Sequence, residues 1–344
     1  IHIGTDDRIY AIAELLRRGT CVETIAAATQ IDPLFLRKLR NITQMELRLK
    51  EHSGSVKELY LAKRMGFSDK EIARQWGWEE LQVYEMRQSA AVQPVYKMID
   101  TCASEFESYI PYFYSSYPGE NASRLTDKKK IIVLGAGPIR IGQGVEFDYS
   151  TVHAVMTIKN AGYEAIIINN NPETVSTDYT TSDKLYFEPL TPEDVMSILD
   201  FECPDGVIAS LGGQTAINLA EPLMKRGAKL IGTNPDMTGP SENGIVPACK
   251  ALVAPIELTT GKHAYYVGKP NPLMMRTGMR LLGCHSAEAV MVGDRMDTDV
   301  ISGLESGMST VLVPAGVTSR EEIDHYAYRP NAVFDGVGDI VTNA

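Results

Sequence analysis

Residues 128–144 read Lys-Lys-Lys-Ile-Ile-Val-Leu-Gly-Ala-Gly-Pro-Ile-Arg-Ile-Gly-Gln-Gly, and this stretch decides the fold. The apolar run from Ile131 to Leu134 predicts a buried strand. The glycine-rich segment after it predicts a tight turn that leads into a helix. A strand, a turn and a helix in this order begin an open α/β sheet, whose ligands bind at the carboxyl ends of the strands. The sequence therefore predicts a Rossmann-like sheet with a functional edge at this turn.

Further strands are predicted at residues 164–168, 184–187, 206–209 and 229–231, separated by helices or loops. This alternation predicts a parallel sheet that is covered on both faces. A dinucleotide site is disfavoured, because G-x-G-x-x-G requires glycine where Arg140 stands and the strand at 164–168 ends in asparagines rather than an acid. A Walker A loop is excluded, since no Gly-Lys-Ser/Thr follows.

The first 125 residues carry the helix start signals expected of a helical bundle. Asp32-Pro33 is an N-cap followed by proline at the first helical position, and Ser68 to Glu71 is a capping box. Residues 66–88 resemble a helix-turn-helix, which raises DNA binding as an alternative. The acidic pair Glu79-Glu80 at the start of the second helix favours packing instead. The aromatic segment 95–117 is predicted to pack one domain on another, with binding of a ring-bearing ligand as the alternative.

Composition narrows the function classes. The 344 residues carry 33 Lys+Arg and 44 Asp+Glu, a net charge of −11, of which −1 falls in residues 1–125 (16 against 17) and −10 in the remainder (17 against 27). Such a surface repels nucleic acid. The apolar runs are too short for a membrane span. The N-terminus lacks a signal-peptide pattern and an initiator Met and is interpreted as a fragment start, and the five cysteines form no C-x-x-C, so the cytoplasm is the expected location.

Six stretches within residues 1–230 resemble the same family. Three are the runs 135–149, 171–179 and 212–215, and the other three are upstream motifs at 35–38, 66–69 and 100–107. In this order they resemble the large subunit of carbamoyl phosphate synthetase, specifically its helical oligomerisation domain and the pre-ATP-grasp domain of its second synthetase half. The resemblance covers about residues 1–230.

The resemblance implies a function and a set of site residues. The family makes carbamoyl phosphate from bicarbonate, glutamine-derived ammonia and ATP, for pyrimidine and arginine synthesis. It implies a glycine loop beside the internal carbamate route and polar residues along the sheet edge; these are Arg140, Gly142 and Gly144, and Asn171, Glu173 and Gln214. The structural alternative is that the glycines only permit the turn and the amides only satisfy loop ends. ATP binds in the family's ATP-grasp domains, and none follows here. The implied partners of the helical domain are further copies of the chain or a glutaminase small subunit.

The residues after Gly232 belong to a different pattern. Gly268-Lys269-Pro270-Asn271-Pro272 precedes a helix, and the strand at 289–292 ends in Gly293-Asp294-Arg295-Met296-Asp297-Thr298-Asp299. This order resembles the back half of a haloacid dehalogenase-superfamily phosphatase of the NagD or nitrophenylphosphatase type. The resemblance implies that Lys269 balances phosphoryl charge, that Asp294 binds Mg²⁺ and that Asp299 supports the metal shell.

The phosphatase pattern is incomplete. The family's nucleophile is the first Asp of Asp-x-Asp-Gly, and this tetrad is absent from the sequence; the nearest text, Cys203-Pro204-Asp205-Gly206, has cysteine in its place. Without the nucleophile, covalent catalysis fails and Mg²⁺ lacks ligands; Asp294 and Asp297 are then solvated loop acids. The strands that are missing are central in the phosphatase sheet. The strands that remain, near Met291 and Val311, are therefore predicted to expose an apolar edge. A junction within 227–232 indicates recombination or a gene fusion, natural or deliberate.

The sequence as a whole predicts an α/β protein with an N-terminal all-α domain. A helical bundle is expected in residues 1–125, a Rossmann-like pre-ATP-grasp domain in 126–232 and a truncated haloacid-dehalogenase-like α/β segment in 233–344. The favoured hypothesis is a partial carbamoyl phosphate synthetase large subunit joined to a truncated phosphatase tail and inactive alone. The alternatives are a Mg²⁺-dependent phosphatase with an unrecognised nucleophile and a non-catalytic assembly module.

Overall fold

A computed structural model describes residues 1–103, 105–106, 109–138, 145–225, 227–241, 244–314 and 318–342. The chain divides into two compact units, Ile1–Leu219 and Ala220–Ala344. The boundaries expected from sequence, at 125 and 232, stay predictions. In the described part of the chain, no helix combines the length and the hydropathy that crossing a bilayer requires.

The first unit begins with a helical bundle, as predicted. Its helices are α1 Arg8–Arg17, α2 Val22–Thr29, α3 Pro33–Glu51, α4 Val56–Arg64, α5 Asp69–Trp76 and α6 Glu80–Ser89. Both predicted N-caps are confirmed: the Asp32 carboxylate accepts a hydrogen bond from the Leu34 amide at 2.7 Å, and the Ser68 hydroxyl accepts one from the Glu71 amide at 3.1 Å. Helix α5 ends at Gly77, whose φ of 70° lies in the left-handed region that favours glycine.

Two apolar clusters hold the bundle together. One joins α1, α2 and the start of α3 through Ile12, Leu16, Val22, Ile25 and Leu36. The other joins the end of α3 to α4, α5 and α6, and Trp76 belongs to it. The would-be recognition helix α6 contributes Val83 to this second core. The packing interpretation of residues 66–88 therefore agrees with the structure.

A six-stranded sheet follows the bundle. Its strands are β1 Val95–Met98, β2 Tyr112–Ser116, β3 Lys130–Leu134, β4 Glu164–Ile168, β5 Lys184–Tyr186 and β6 Gly206–Ile208, in the order β1-β2-β5-β4-β3-β6. All neighbours are parallel except β1, which runs antiparallel to β2. Helix α7 Val145–Asn160 connects β3 to β4, α8 Pro192–Glu202 connects β5 to β6, and α9 Gly213–Ile217 follows β6. The predicted parallel sheet is confirmed. Strand β4 lies on one side of β3 and β6 on the other, so the direction of the strand order reverses at β3. Ligands of such sheets bind at this reversal.

The aromatic segment differs from its predicted role. It supplies β1 and β2, and Tyr96 and Phe113 are buried in the sheet. Aromatic residues favour strands because their rings pack well on a pleated surface. The segment therefore extends the sheet of the first unit.

The described residues of the second unit form three small sheets. Its strands are β7 Ile231–Gly232, β8 Thr238–Ser241, β9 Gly244–Pro247, β10 Tyr265–Tyr266, β11 Val290–Gly293, β12 Ser309–Leu312 and β13 Ala332–Val333. Its helices are α10 Ala220–Lys225, α11 Cys249–Thr260, α12 Pro272–Leu282, α13 Ile301–Glu305 and α14 Val337–Thr342. Strands β11, β12 and β13 form a parallel sheet in that order, β7 pairs with β10, and β8 with β9. The strand expected at 229–231 thus pairs with β10 rather than extending the larger sheet.

The predicted free edge is found at one of its two expected places. Among the described residues, β11 pairs only with β12, and Val290 and Val292 are 57% and 41% exposed. Val311 is buried instead, because β12 lies between β11 and β13.

Candidate functional site

The carboxyl edge of the large sheet brings the glycine turn and the asparagines together. The Asn169 side chain, buried at the end of β4, accepts a hydrogen bond from the Gly137 amide at 3.0 Å. A Cβ atom on Gly135 would overlap the Asn169 side chain, and one on Gly212 would overlap the Gly135 carbonyl. Glycine is required here because three chain segments approach one another at backbone distance. Asn169 was missed as a site residue, although the three asparagines after the strand pointed to this edge.

The residues implied by the carbamoyl phosphate synthetase resemblance are only partly described. Arg140, Gly142 and Gly144 lie outside the described residues. Gln214 falls in α9, but its side chain is also outside the description. Asn171 is half-buried and accepts a hydrogen bond from the amide of the exposed Glu173 at 3.1 Å, which is an Asx turn. The roles of all six residues stay predictions. The Asn171 side chain stabilises a turn, which is the structural alternative to a role in a site.

A second cluster lies at the carboxyl end of β11, where the tail motifs meet. The Lys269 ammonium forms an ion pair with one carboxylate oxygen of Asp299, which is 2% exposed. The other oxygen of Asp299 accepts the amides of Asp294 and Arg295, each at 3.2 Å. Asp299 also packs directly on Gly293. It therefore anchors the turn that follows β11 while it neutralises Lys269.

The Asp299 carboxylate does not fit as a ligand of Mg²⁺ in this arrangement. Mg²⁺ takes carboxylate oxygens and water in octahedral geometry. Both oxygens of Asp299 are already engaged by a cation and by backbone amides. Within the described ranges, no three His, Cys, Asp or Glu residues are grouped as metal ligands. The roles of Lys269, Asp294 and Asp299 thus stay predictions.

An arginine that no sequence pattern singled out lies beside this cluster. The Arg295 guanidinium binds the Asp297 carboxylate through two bonds of 3.0 and 2.8 Å, and Asp236 lies 3.8 Å away. The bonds from Arg295 lower the pKa of Asp297, against the effect of its partial burial. Asp297 is therefore exposed, as expected of a solvated acid, and is in addition paired with Arg295.

A third feature is an apolar stripe on α3, which we call the α3 face. It consists of Phe35 and Ile42, which are seven residues apart and so share one side of the helix, and of Met65 at the end of α4. Phe35 is 62% exposed, and Ile42 and Met65 are each 42% exposed. Ile42 and Met65 also line an open groove of about 540 Å³ together with Lys38 and Arg48. Apolar side chains grouped in this way are typical of an interaction surface.

Comparison with known families confirms both resemblances. Residues 1–91 match the family model described as the oligomerisation domain of the carbamoyl-phosphate synthetase large chain. Residues 127–239 match the carbamoyl phosphate synthase preATP-grasp domain. Residues 266–340 match the family of hydrolases related to the haloacid dehalogenases. The chain thus combines two carbamoyl phosphate synthetase-like domains with a haloacid-dehalogenase-like segment.

Solved structures similar to this chain include nitrophenylphosphatases and NagD. The 4-nitrophenylphosphatase of Thermotoga maritima is 23% identical, with a TM-score of 0.38, over 62% of this chain and 97% of its own. The p-nitrophenyl phosphatase of Archaeoglobus fulgidus is 24% identical, with a TM-score of 0.36, over 64% and 100%. NagD from E. coli K-12 is 24% identical, also with a TM-score of 0.36, over 62% and 98%. Such TM-scores establish neither a shared overall fold nor a shared activity.

Proposed function

We propose that the chain is an assembly module derived from the carbamoyl phosphate synthetase large subunit, joined to a phosphatase-like tail that does not turn over substrate. The helical match is followed by the preATP-grasp match, in the order that the family uses. The next match is the hydrolase-like one rather than an ATP-grasp domain. The sequence between these matches therefore supplies no ATP-grasp domain, which carbamoyl phosphate synthesis requires.

The α3 face carries this proposal. The matched family is named for oligomerisation, and the helix at the centre of the match presents Phe35 and Ile42 to solvent. Apolar side chains gain free energy when a partner removes them from water, at about 25 cal/mol per Å². We take a second copy of the chain as the occupant. A glutaminase small subunit, the other expected partner, would leave the isolated chain monomeric.

Replacing Ile42 by glutamate is expected to weaken self-association at least about tenfold, because a carboxylate would be buried in an apolar interface. Sedimentation velocity across a micromolar concentration range measures this effect. Leu47→Glu is the matched control. Leu47 lies on the same helix and is 46% exposed, but it stands about 140° around the axis from Ile42. A monomeric wild-type chain, or an Ile42→Glu chain that associates like the wild type, contradicts the proposal.

The second candidate function is a Mg²⁺-dependent phosphatase. It is supported by Asp294, which follows β11 directly and donates its amide to Asp299 beside Lys269. Phosphatases of this superfamily generally use Mg²⁺. Against it stand the absent Asp-x-Asp-Gly tetrad and the ion pair that already neutralises Lys269.

We expect no Mg²⁺-dependent hydrolysis of p-nitrophenyl phosphate by the purified chain, because a covalent mechanism needs a nucleophile. The measurement is the release of p-nitrophenolate with and without Mg²⁺, beside the variants Asp294→Asn and Cys203→Ala. Cys203 is exposed and ends α8 in a left-handed conformation. Turnover that Asp294→Asn abolishes would establish the phosphatase, and its loss in Cys203→Ala as well would identify the nucleophile.

A further inference from the structure

A cavity of about 710 Å³ lies inside the first unit, between the helices α4 to α6 and the carboxyl ends of β2 and β5. Its walls include Lys63, Tyr96, Ser115, Glu188, Glu193 and Asp194. Its volume falls in the range of small-molecule sites. Neither family resemblance assigned a role to these residues.

The first observation that points to a ligand is the Tyr96 hydroxyl. Tyr96 is 1% exposed, and its ring is held by Tyr186 and Phe201, with centroids 4.9 and 5.1 Å away. The hydroxyl has no hydrogen-bond partner among the described residues. A buried hydroxyl without a partner costs about 1–3 kcal/mol. Tyr96 and Glu188 line the same cavity, and burial followed by the charge of Glu188 raises the pKa of Tyr96, so the hydroxyl stays neutral.

The second observation is a shortage of positive charge. Glu188 is 5% exposed and accepts a hydrogen bond from the Ser115 amide, but no Lys, Arg or His of the described chain forms an ion pair with it. Lys63 is already paired with Asp69 and Glu193. Burial is the main reason why the pKa of Glu188 rises to about 7. A buried carboxylate without a counterion is a partner for a cation.

We propose that this cavity binds a small primary amine, whose ammonium group donates hydrogen bonds to the Glu188 carboxylate and to the Tyr96 hydroxyl oxygen. The ammonium group satisfies the unpaired hydroxyl and neutralises the unpaired carboxylate in one step. It has three donors, which suits the convergence of Glu188, Tyr96 and the nearby Asp194. At the rim, the exposed side chains of Arg64 and Lys70 can hold an anionic group at the other end of the ligand. The class that uses every one of these groups is a compact amino acid.

The test is calorimetric titration of the purified chain with three four-carbon probes: butylammonium, 4-aminobutyrate and butyrate. We expect 4-aminobutyrate to bind most tightly, butylammonium to bind, and butyrate not to bind. Glu188→Gln is expected to abolish binding, and Tyr96→Phe to weaken it about fivefold through the loss of one hydrogen bond. Glu120→Gln, which removes an exposed carboxyl elsewhere in the unit, is the control and should bind as the wild type does.

Binding of butyrate in preference to butylammonium would overturn the proposal, since the cavity would then be an anion site that uses Lys63. Binding of none of the probes would overturn it as well. So would amine binding that survives Glu188→Gln while circular dichroism shows a folded chain. Amine binding does not depend on self-association, because the cavity lies within a single chain, and the Ile42→Glu variant should therefore bind the probes unchanged.

Discussion

Truncation of Glu202 to alanine is expected to destabilise the first unit by about 3–5 kcal/mol, because it leaves the buried Lys130 ammonium without its counterion and the buried Lys184 ammonium with Glu164 alone, 3.6 Å away. Glu202 is 1% exposed and lies at the end of α8. Its carboxylate binds the Lys130 ammonium at 2.9 Å and the Lys184 ammonium at 2.8 Å, and it accepts the Tyr186 hydroxyl. Lys130 and Lys184 are themselves only 5% and 3% exposed.

The charge state of Glu202 sets the pH at which this contribution is present. Burial alone raises the pKa of a carboxyl, but the hydrogen bonds from Lys184, Tyr186 and Lys130 outweigh it and hold the pKa of Glu202 below its usual range. A group with a lowered folded-state pKa stabilises the fold above its unfolded pKa and loses that contribution as the pH falls through the folded value. The full effect of the substitution is therefore expected at neutral pH.

Urea unfolding followed by tryptophan fluorescence measures this effect. Both tryptophans of the chain, Trp76 and Trp78, lie in the first unit, so the signal reports on that unit alone. Glu14→Ala is the matched control, because it breaks only exposed pairs with Arg17 and Arg18 and should leave the urea midpoint nearly unchanged. A loss below about 1 kcal/mol for Glu202→Ala would mean that the lysines are served by their other acceptors, such as the Arg124 carbonyl at 2.7 Å from Lys184.

Local patterns predicted the elements of this fold well. The N-caps at Asp32 and Ser68 and the strand that ends at Leu134 each depend on residues adjacent in sequence. The buried charges were not predictable in this way. Lys130 and Glu202 are 72 residues apart, and a lysine at the start of a strand ordinarily indicates a solvated end. Only the sheet order, which places β3 and β5 on either side of β4, brings both lysines to one carboxylate.

The candidate sites likewise divide into features set by residues adjacent in sequence and features set by the assembled sheet. The glycine turn was predicted, since Gly135 and Gly137 are adjacent to an evident strand. The role of Asp299 in a metal shell was inferred by resemblance and stays a prediction, while its hydrogen bonds to the turn after β11 could not be read from the sequence. The cavity was not predicted, because Tyr96 and Glu188 come from β1 and from the end of β5, far apart in sequence. Their shared environment is a property of the assembled sheet.

Replacement of Glu188 by glutamine is expected to stabilise the first unit by about 3 kcal/mol at pH 8 and by little near pH 4.5. Burial chiefly, and then the neighbouring Asp194 and Glu193, raise the pKa of Glu188 from 4.5 to about 7, although the Ser115 amide opposes the rise. The folded chain therefore holds this proton more tightly than the unfolded chain. Stability is lost as the pH rises through the folded pKa, at about 1.4 kcal/mol per pKa unit of difference.

Glutamine keeps the oxygen that accepts the Ser115 amide but cannot ionise, so it removes this penalty without removing the hydrogen bond. Urea unfolding at the two pH values, in buffers free of primary amines, measures the difference between the variant and the wild type. Glu120→Gln is the control and should shift stability by less than about 0.5 kcal/mol at either pH. Equal stability of Glu188→Gln and the wild type at pH 8 would show that a counterion already neutralises Glu188 in the free chain. That result would also contradict the proposed amine site, which requires that Glu188 has no counterion in the free chain.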